Sequence, residues 1–347
     1  MKEKILFFSI KHPLLLILML AMTLKLVAMI FTGGFIYEDE YLNYYKVPSA
    51  WLENSWLVFS IRLIIGFFSL LIITLSYRIV KVISDKKTAL EVAILLATLW
   101  FIPYVTVHPL PQVLTIPFLL YGTLLIVKQD FLLANKEIEK FHRTTFIIAG
   151  LCFGLGFTFW YQSALYYLGI IIALMILKNW RGTLMTIIGF IVAICVTETA
   201  PDIIWHGQPF YRICEFFNNG GAYLSSKSVE CQCVYYSLPI ILLGFLPPLS
   251  LMIIFGYFRV CRKYLLLFLP AMLFLLFYLI FPNLNIIYLL PVTPTYVICG
   301  FVGWKEFKRK SAFWERNKKL LLCLNALTIT ANVVLLVMIF VKTYNII

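Results

Sequence analysis

Residues 144–177 read TTFIIAGLCFGLGFTFWYQSALYYLGIIIALMIL, without one charged side chain. A membrane-spanning helix needs about 17–25 apolar residues. This run is therefore either one long kinked helix or two helices, 144–160 and 163–177, meeting around Trp160–Ser163. The choice decides the topology. Two helices return Lys178 and Arg181 to the side of Arg143; a single one would carry them across and invert everything downstream. Gly150, Gly154 and Gly156 suit the close backbone approach of helices packed in a membrane.

The rest of the chain repeats this pattern. Further apolar runs lie near 13–32, 56–77, 88–107, 112–128, 182–199, 237–258, 264–282, 287–304 and 320–341, so about eleven spans are expected. The 347 residues are 62% hydrophobic and only 13% charged, with a mean hydropathy of +0.93. A soluble domain carries far more charge. The expected fold is all-α, a polytopic membrane protein with residues 1–347 forming one domain. Met1-Lys2-Glu3-Lys4 resembles a signal n-region, but the apolar stretch from Pro13 to Ile30 is too long for a signal core and reads as a retained anchor.

The net charge of +13 suggests nucleic acid until the charges are placed. Twenty-three of the 29 basic residues fall in one set of short loops, including Arg78–Lys87, Lys128–Arg143, Arg259–Lys263 and Lys305–Lys319. Only Lys46, Arg212, Lys227 and Lys342 fall in the other set, and Lys25 and Arg62 lie inside spans. Basic loops stay cytoplasmic, so the N-terminus is expected inside and no nucleic-acid partner is expected. The opposite face has two loops of real size, 33–55 and 200–236, and carries eight acids.

The first outer loop contains Tyr37-Glu38-Asp39-Glu40-Tyr41. Adjacent carboxylates beside a low-dielectric boundary raise one another's pKa, which suits a general base. A plain solvated acidic loop is the alternative. The second loop carries Asp202, Trp205-His206-Gly207, Arg212, Asn218-Asn219 and Tyr235, the amides and aromatic faces a glycan needs; a structured interfacial belt is its alternative.

These patches resemble the integral-membrane glycosyltransferases of the C superfamily (GT-C), and most closely the branch of GPI-anchor and dolichol-oligosaccharide mannosyltransferases. That branch has an early Asp-Glu, matched by Asp39-Glu40, and an Arg in the next span, matched by Arg62. It continues with an Asp, a Gly five residues on, Asn residues and a Tyr before Leu-Pro; Asp202, Gly207, Asn218, Asn219, Tyr235 and Leu238-Pro239 keep that order. Leu290-Pro291-Val292-Thr293-Pro294 is present too, but Asn283, Leu284, Asn285 and Ile287 stand where the family has His, Lys, Glu and Arg. The resemblance covers residues 33–295 in patches.

It implies transfer of a sugar from a polyprenyl-phosphate donor to a glycan or glycolipid acceptor, with inversion, on the non-cytoplasmic face. Asp39 would be the base, flanked by Glu38 and Glu40. Arg212, then Arg62 and His206, would hold the donor phosphate. Asp202, Asn218, Asn219, Tyr235, Tyr41 and His108 would contact substrate. No cofactor or metal is expected: the four histidines have no metal-ligand spacing, and no Walker loop or dinucleotide fingerprint occurs. Cys214 is expected to bridge to Cys231 or Cys233, while Lys25 and Glu91, costly inside spans, find no partner in the sequence. A lipid-linked-saccharide transporter or flippase, and a non-catalytic transferase subunit, are the competing functions. No Asn-x-Ser/Thr sequon occurs, which favours a bacterial inner membrane over the endoplasmic reticulum.

Overall fold

Trp160 is where the 144–177 run turns back. Its backbone is extended, at φ −156° and ψ 106°, and ends α6, Arg143–Phe159. A short 3-10 turn, Tyr161–Ser163, then starts α7, Ala164–Ile176. The ring of Phe153 lies 5.5 Å from that of Tyr167, which a continuing helix would forbid and a reversal requires. The run is two helices.

The computed structural model describes residues 12–31, 55–134, 142–225, 248–280 and 286–344. Among them the structure is helical throughout. Before the reversal come α1 (Pro13–Phe31), α2 (Ser55–Ile83), α3 (Lys86–Thr98), α4 (Ile102–Val105) and α5 (Pro111–Ala134). After α7 come α8 (Trp180–Ile194), a π-helical turn (Cys195–Thr199), α9 (Ala200–His206) and α10 (Tyr211–Ser225). The chain then forms α11 (Leu249–Arg259), α12 (Leu265–Ile280), a 3-10 helix (Ile286–Val292), α13 (Thr293–Lys310), α14 (Ala312–Arg316) and α15 (Lys318–Tyr344). Among the described residues six stretches are long and apolar enough to cross a membrane: Pro13–Phe31, Trp56–Ile83, Pro111–Phe131, Trp180–His206, Ile287–Lys310 and Leu322–Ile339. Four apolar helices are shorter, and every expected span contains a helix.

Two boundaries depart from the sequence reading. The expected span 88–107 breaks after Thr98, because Pro103 cannot return a hydrogen bond to the preceding turn. The exposed backbone is satisfied from elsewhere: Asn332 on α15 donates to the Thr98 carbonyl at 2.6 Å and accepts from the Trp100 N–H at 2.9 Å. Freed backbone groups inside a bilayer need such partners. The expected outer loop also begins later than residue 200, since the helix runs on to His206 and ends at Gly207 in the left-handed region. Pro201 sits in this helix because the wide π turn before it relieves the clash its ring would make.

Close packing follows the glycines. A Cβ at Gly150 would run into the Thr186 carbonyl of α8, and one at Gly256 into the Gly300 carbonyl of α13. Without a hydrophobic driving force between helices in lipid, such contact supplies the association. Core rings and branched chains fill the remainder, with Phe146, Phe153, Tyr166 and Phe274 fully buried.

Three ion pairs among the described residues gather at one end. Glu91 pairs with Lys305, Asp85 with Arg309, and Lys263 with Glu306 at 2.6 Å. Asp85 also caps α3 through the Thr88 N–H at 2.6 Å. The Thr88 hydrogen bonds, joined by Arg309, hold its carboxyl well below the usual range. The α2–α3 turn, the α11–α12 turn and the end of α13 are thus tied together, and Glu91 has its counter-ion.

Candidate active site

The other end of the bundle holds the unusual polar groups. Thr115, in the second turn of α5, donates to the Gly156 carbonyl near the end of α6 at 3.2 Å. Tyr161 reaches Glu198 of the π turn, and Trp160 stacks on Tyr288 with centroids 6.1 Å apart. The turns at 106–110, 159–163, 195–212 and 286–292 therefore share this end. The Leu290-Pro291-Val292-Thr293-Pro294 motif is here, forming the 3-10 entrance to α13.

One cluster is built on Arg212. Its Nε donates to Asp202 Oδ1 at 2.6 Å and its backbone N–H to Oδ2 at 3.2 Å. Its Nη2 lies 3.2 Å from Glu198 Oε2, which also accepts from the Tyr161 hydroxyl at 3.1 Å. Nη2 further reaches the carbonyls of Thr197 and Glu198, at 3.4 and 3.5 Å, in the turn to which Pro201 returns no N–H. Both acids are fully buried, whereas the guanidinium is about a third exposed. Partial burial works against the charge of Arg212, but the Asp202 hydrogen bond and the two carboxylates outweigh it and raise its pKa. Phe216, one turn along α10, meets Tyr161 edge-on at 5.0 Å.

Arg212 faces two carboxylates and pins α10 to the end of α9. Both Asp202 oxygens accept from Arg212. The residues that reading missed are Glu198, as a partner of Arg212, and Tyr161. The one signal was Pro201, which sits three residues after Glu198 in an otherwise helical run.

A second cluster joins α2, α4 and the turn before α5. Arg62 is 4% exposed and His108 2%. The His108 ring lies 5.1 Å from that of Tyr104. Neither ring nitrogen of His108 has a hydrogen-bond partner, and Gln112 Oε1 has none either. Each such buried group costs about 1–3 kcal/mol. Burial, and then the Arg62 charge, push His108 down to about 3, so its imidazole is neutral. Below this level Lys25, on α1, is fully buried and donates to Ser69 Oγ at 2.6 Å and to Thr106 Oγ1. Those hydroxyls in turn donate hydrogen bonds to the Gly66 and Ile102 carbonyls.

The other expected site residues are scattered. His206 is exposed and stacks on Tyr211 at 4.3 Å. Asn218 is exposed on α10, the helix that also carries Asn219. Glu38, Asp39, Glu40, Tyr41 and Tyr235, and the divergent residues Asn283–Asn285, lie outside the described residues. The Cys214 thiol is free and exposed. Cys231 and Cys233 lie outside the described residues. Among the described residues no cluster of His, Cys, Asp and Glu has the makings of a metal site.

Helices of this length and apolarity, with polar groups gathered at one end, define a multi-pass membrane protein. Over residues 9–347 the chain matches the model of the Alg9-like mannosyltransferase family, and it belongs to that family. It is a membrane glycosyltransferase, and the family implies a lipid-linked sugar donor and a glycan acceptor. The resemblance seen in the Asp39-Glu40 and Leu290–Pro294 patches is thereby borne out, and the enzyme class displaces the transporter and non-catalytic readings. No curated protein and no solved structure matches the chain.

Proposed function

We propose that the protein transfers a mannose-like hexose from a polyprenyl-phosphate donor to a glycan or glycolipid acceptor, at the non-cytoplasmic face and with inversion. The observation that carries this reading is the position of the acidic segment in the chain. Glu38-Asp39-Glu40 lies in the connection from Phe31 to Ser55, the ends of α1 and α2, and α2 brings Arg62 to the same end of the bundle. Family membership supplies the class of reaction.

In this mechanism the Asp39 carboxylate takes the proton of an acceptor hydroxyl. The hydroxyl oxygen bonds to the anomeric carbon as the bond from that carbon to the phosphate oxygen breaks. The electron pair leaves on the lipid monophosphate, a good leaving group that needs cationic support rather than an acid. Arg62 is the buried cation suited to that support; Arg212 holds the outer helix, and His206 stands at the exposed rim. Glu38 and Glu40 tune Asp39, and Tyr41, Asn218, Asn219 and Tyr235 contact sugar.

The chain would cross the membrane about eleven times as one domain, with its N-terminus cytoplasmic. The reversal at Trp160 supports this count, since it keeps Arg143, Lys178 and Arg181 on one side. The absence of a sequon supports a bacterial inner membrane.

Purified protein in proteoliposomes should transfer mannose from polyprenyl-phosphate mannose and not from a nucleotide-linked mannose. Transfer from the nucleotide sugar alone, with no lipid carrier present, would overturn the proposal.

A further inference from the structure

The turn Thr106-Val107-His108-Pro109-Leu110-Pro111-Gln112 carries a concentration of unmet hydrogen-bonding capacity that packing does not explain. His108 is 2% exposed and Gln112 6%, yet both His108 nitrogens and Gln112 Oε1 lack partners. Packing alone would favour an apolar residue of the same shape at each position. Leu110 and Val113 beside them are buried and apolar, as packing wants.

We propose that this turn is a glycosyl-phosphate cradle, in which the His108 imidazole donates to a phosphate oxygen of the lipid-linked donor and Gln112 Oε1 accepts from a hydroxyl of the sugar it carries. The inference rests on the lipid-phosphate reading above and adds residues to it.

Three observations converge. First, the unmet groups are complementary to a sugar phosphate. A neutral imidazole offers one N–H and one acceptor nitrogen, and an amide oxygen offers only an acceptor. A bare anion would leave Gln112 unsatisfied; a hexosyl phosphate has oxygens for the N–H and hydroxyls for the acceptor. Second, basic side chains border the turn. Arg62 lies within electrostatic reach of His108, and Lys25 donates to Thr106 of the same turn. An anion beside His108 reverses the disfavour that burial and Arg62 impose on the imidazolium, so the group can strengthen its hold on a charged ligand. Third, the turn delivers the amino end of α5, a helix of 24 residues whose dipole favours negative charge there. His108 is closed over in this structure, so binding has to uncover it.

The test separates binding from packing. Thermal unfolding of the detergent-solubilised protein is followed with a short polyprenyl monophosphate, with the matching polyprenol, and with neither. The phosphate should raise the Tm of the wild type and the alcohol should not. His108→Phe, which removes the unmet groups while keeping shape, should unfold at or above the wild-type temperature without ligand, lose the phosphate-dependent shift, and raise the donor KM tenfold or more with a smaller change in kcat. Gln112→Leu, a second variant should the first not insert, should raise the KM for the glycosylated donor while keeping the response to the unglycosylated phosphate. A His108→Phe protein that keeps the phosphate shift, or that unfolds well below the wild type because the imidazole served buried water, overturns the cradle. A wild type that ignores the phosphate overturns the lipid-phosphate reading itself.

Discussion

Asp39→Asn should abolish transfer and leave the protein inserted and folded. Loss of a positioned general base lowers a rate by about 10²–10⁴-fold. The amide keeps the size and hydrogen-bonding reach of the carboxylate but cannot take the acceptor proton. The expected signature is therefore a fall in kcat with the donor KM little changed, measured with polyprenyl-phosphate mannose under saturating acceptor. Glu38→Gln and Glu40→Gln should each cost far less, because in the proposed mechanism they only raise the pKa of Asp39 by like charge; they should move the pH profile to the acid side. If Glu40→Gln were the dead variant and Asp39→Asn retained turnover, the base would have to be reassigned within the same loop.

The second large effect belongs to stability. Arg212→Ala strands Glu198 and Asp202, two fully buried carboxylates, and releases the Thr197 and Glu198 carbonyls that the guanidinium covers. Breaking a buried pair by removing one partner costs about 3–5 kcal/mol. Because Arg212 is about a third exposed, solvent screens part of this, and about 2–3 kcal/mol is expected. The loss should be local first: α10 hangs from α9 through Gly207 and Phe210, both at positive φ, and through Arg212 and Phe216. Limited proteolysis should cut faster at 207–210, and thermal unfolding should shift down. Combining Arg212→Met with Glu198→Gln and Asp202→Asn should restore most of the stability, since no buried charge is then left alone. An Arg212→Ala protein as stable as the wild type would mean that the acids find other partners.

The helices were legible because lipid imposes them: only runs of apolar residues survive there, and such runs are visible by eye. The reversal at Trp160 was legible as a pair of alternatives, and the Phe153–Tyr167 contact decides between them. The break after Thr98 was not, because its compensation comes from Asn332, more than two hundred residues away. Glu91 and Lys25 looked unpartnered for the same reason: Lys305, Ser69 and Thr106 reach them only through tertiary packing. Arg212 was singled out as a cation, but its pairing with Glu198 and Asp202 was not legible, because α9 and the π turn bring them together only in the fold. Sequence reveals that an arginine is present; it does not reveal whether its charge has been spent. His108 was read as a substrate contact, and what sets it apart, near-complete burial without a hydrogen-bond partner, is a property of the fold alone.

The most direct measurement is the sidedness of the acidic segment. In a cysteine-free background, Asn43→Cys is probed in sealed vesicles with a membrane-impermeant maleimide, beside Lys87→Cys as the opposite marker. The account predicts that position 43 reacts only from the non-cytoplasmic side and position 87 only from the cytoplasmic side. Labelling of position 43 from the cytoplasm would contradict it, because Asp39 would then lie across the bilayer from its proposed substrates.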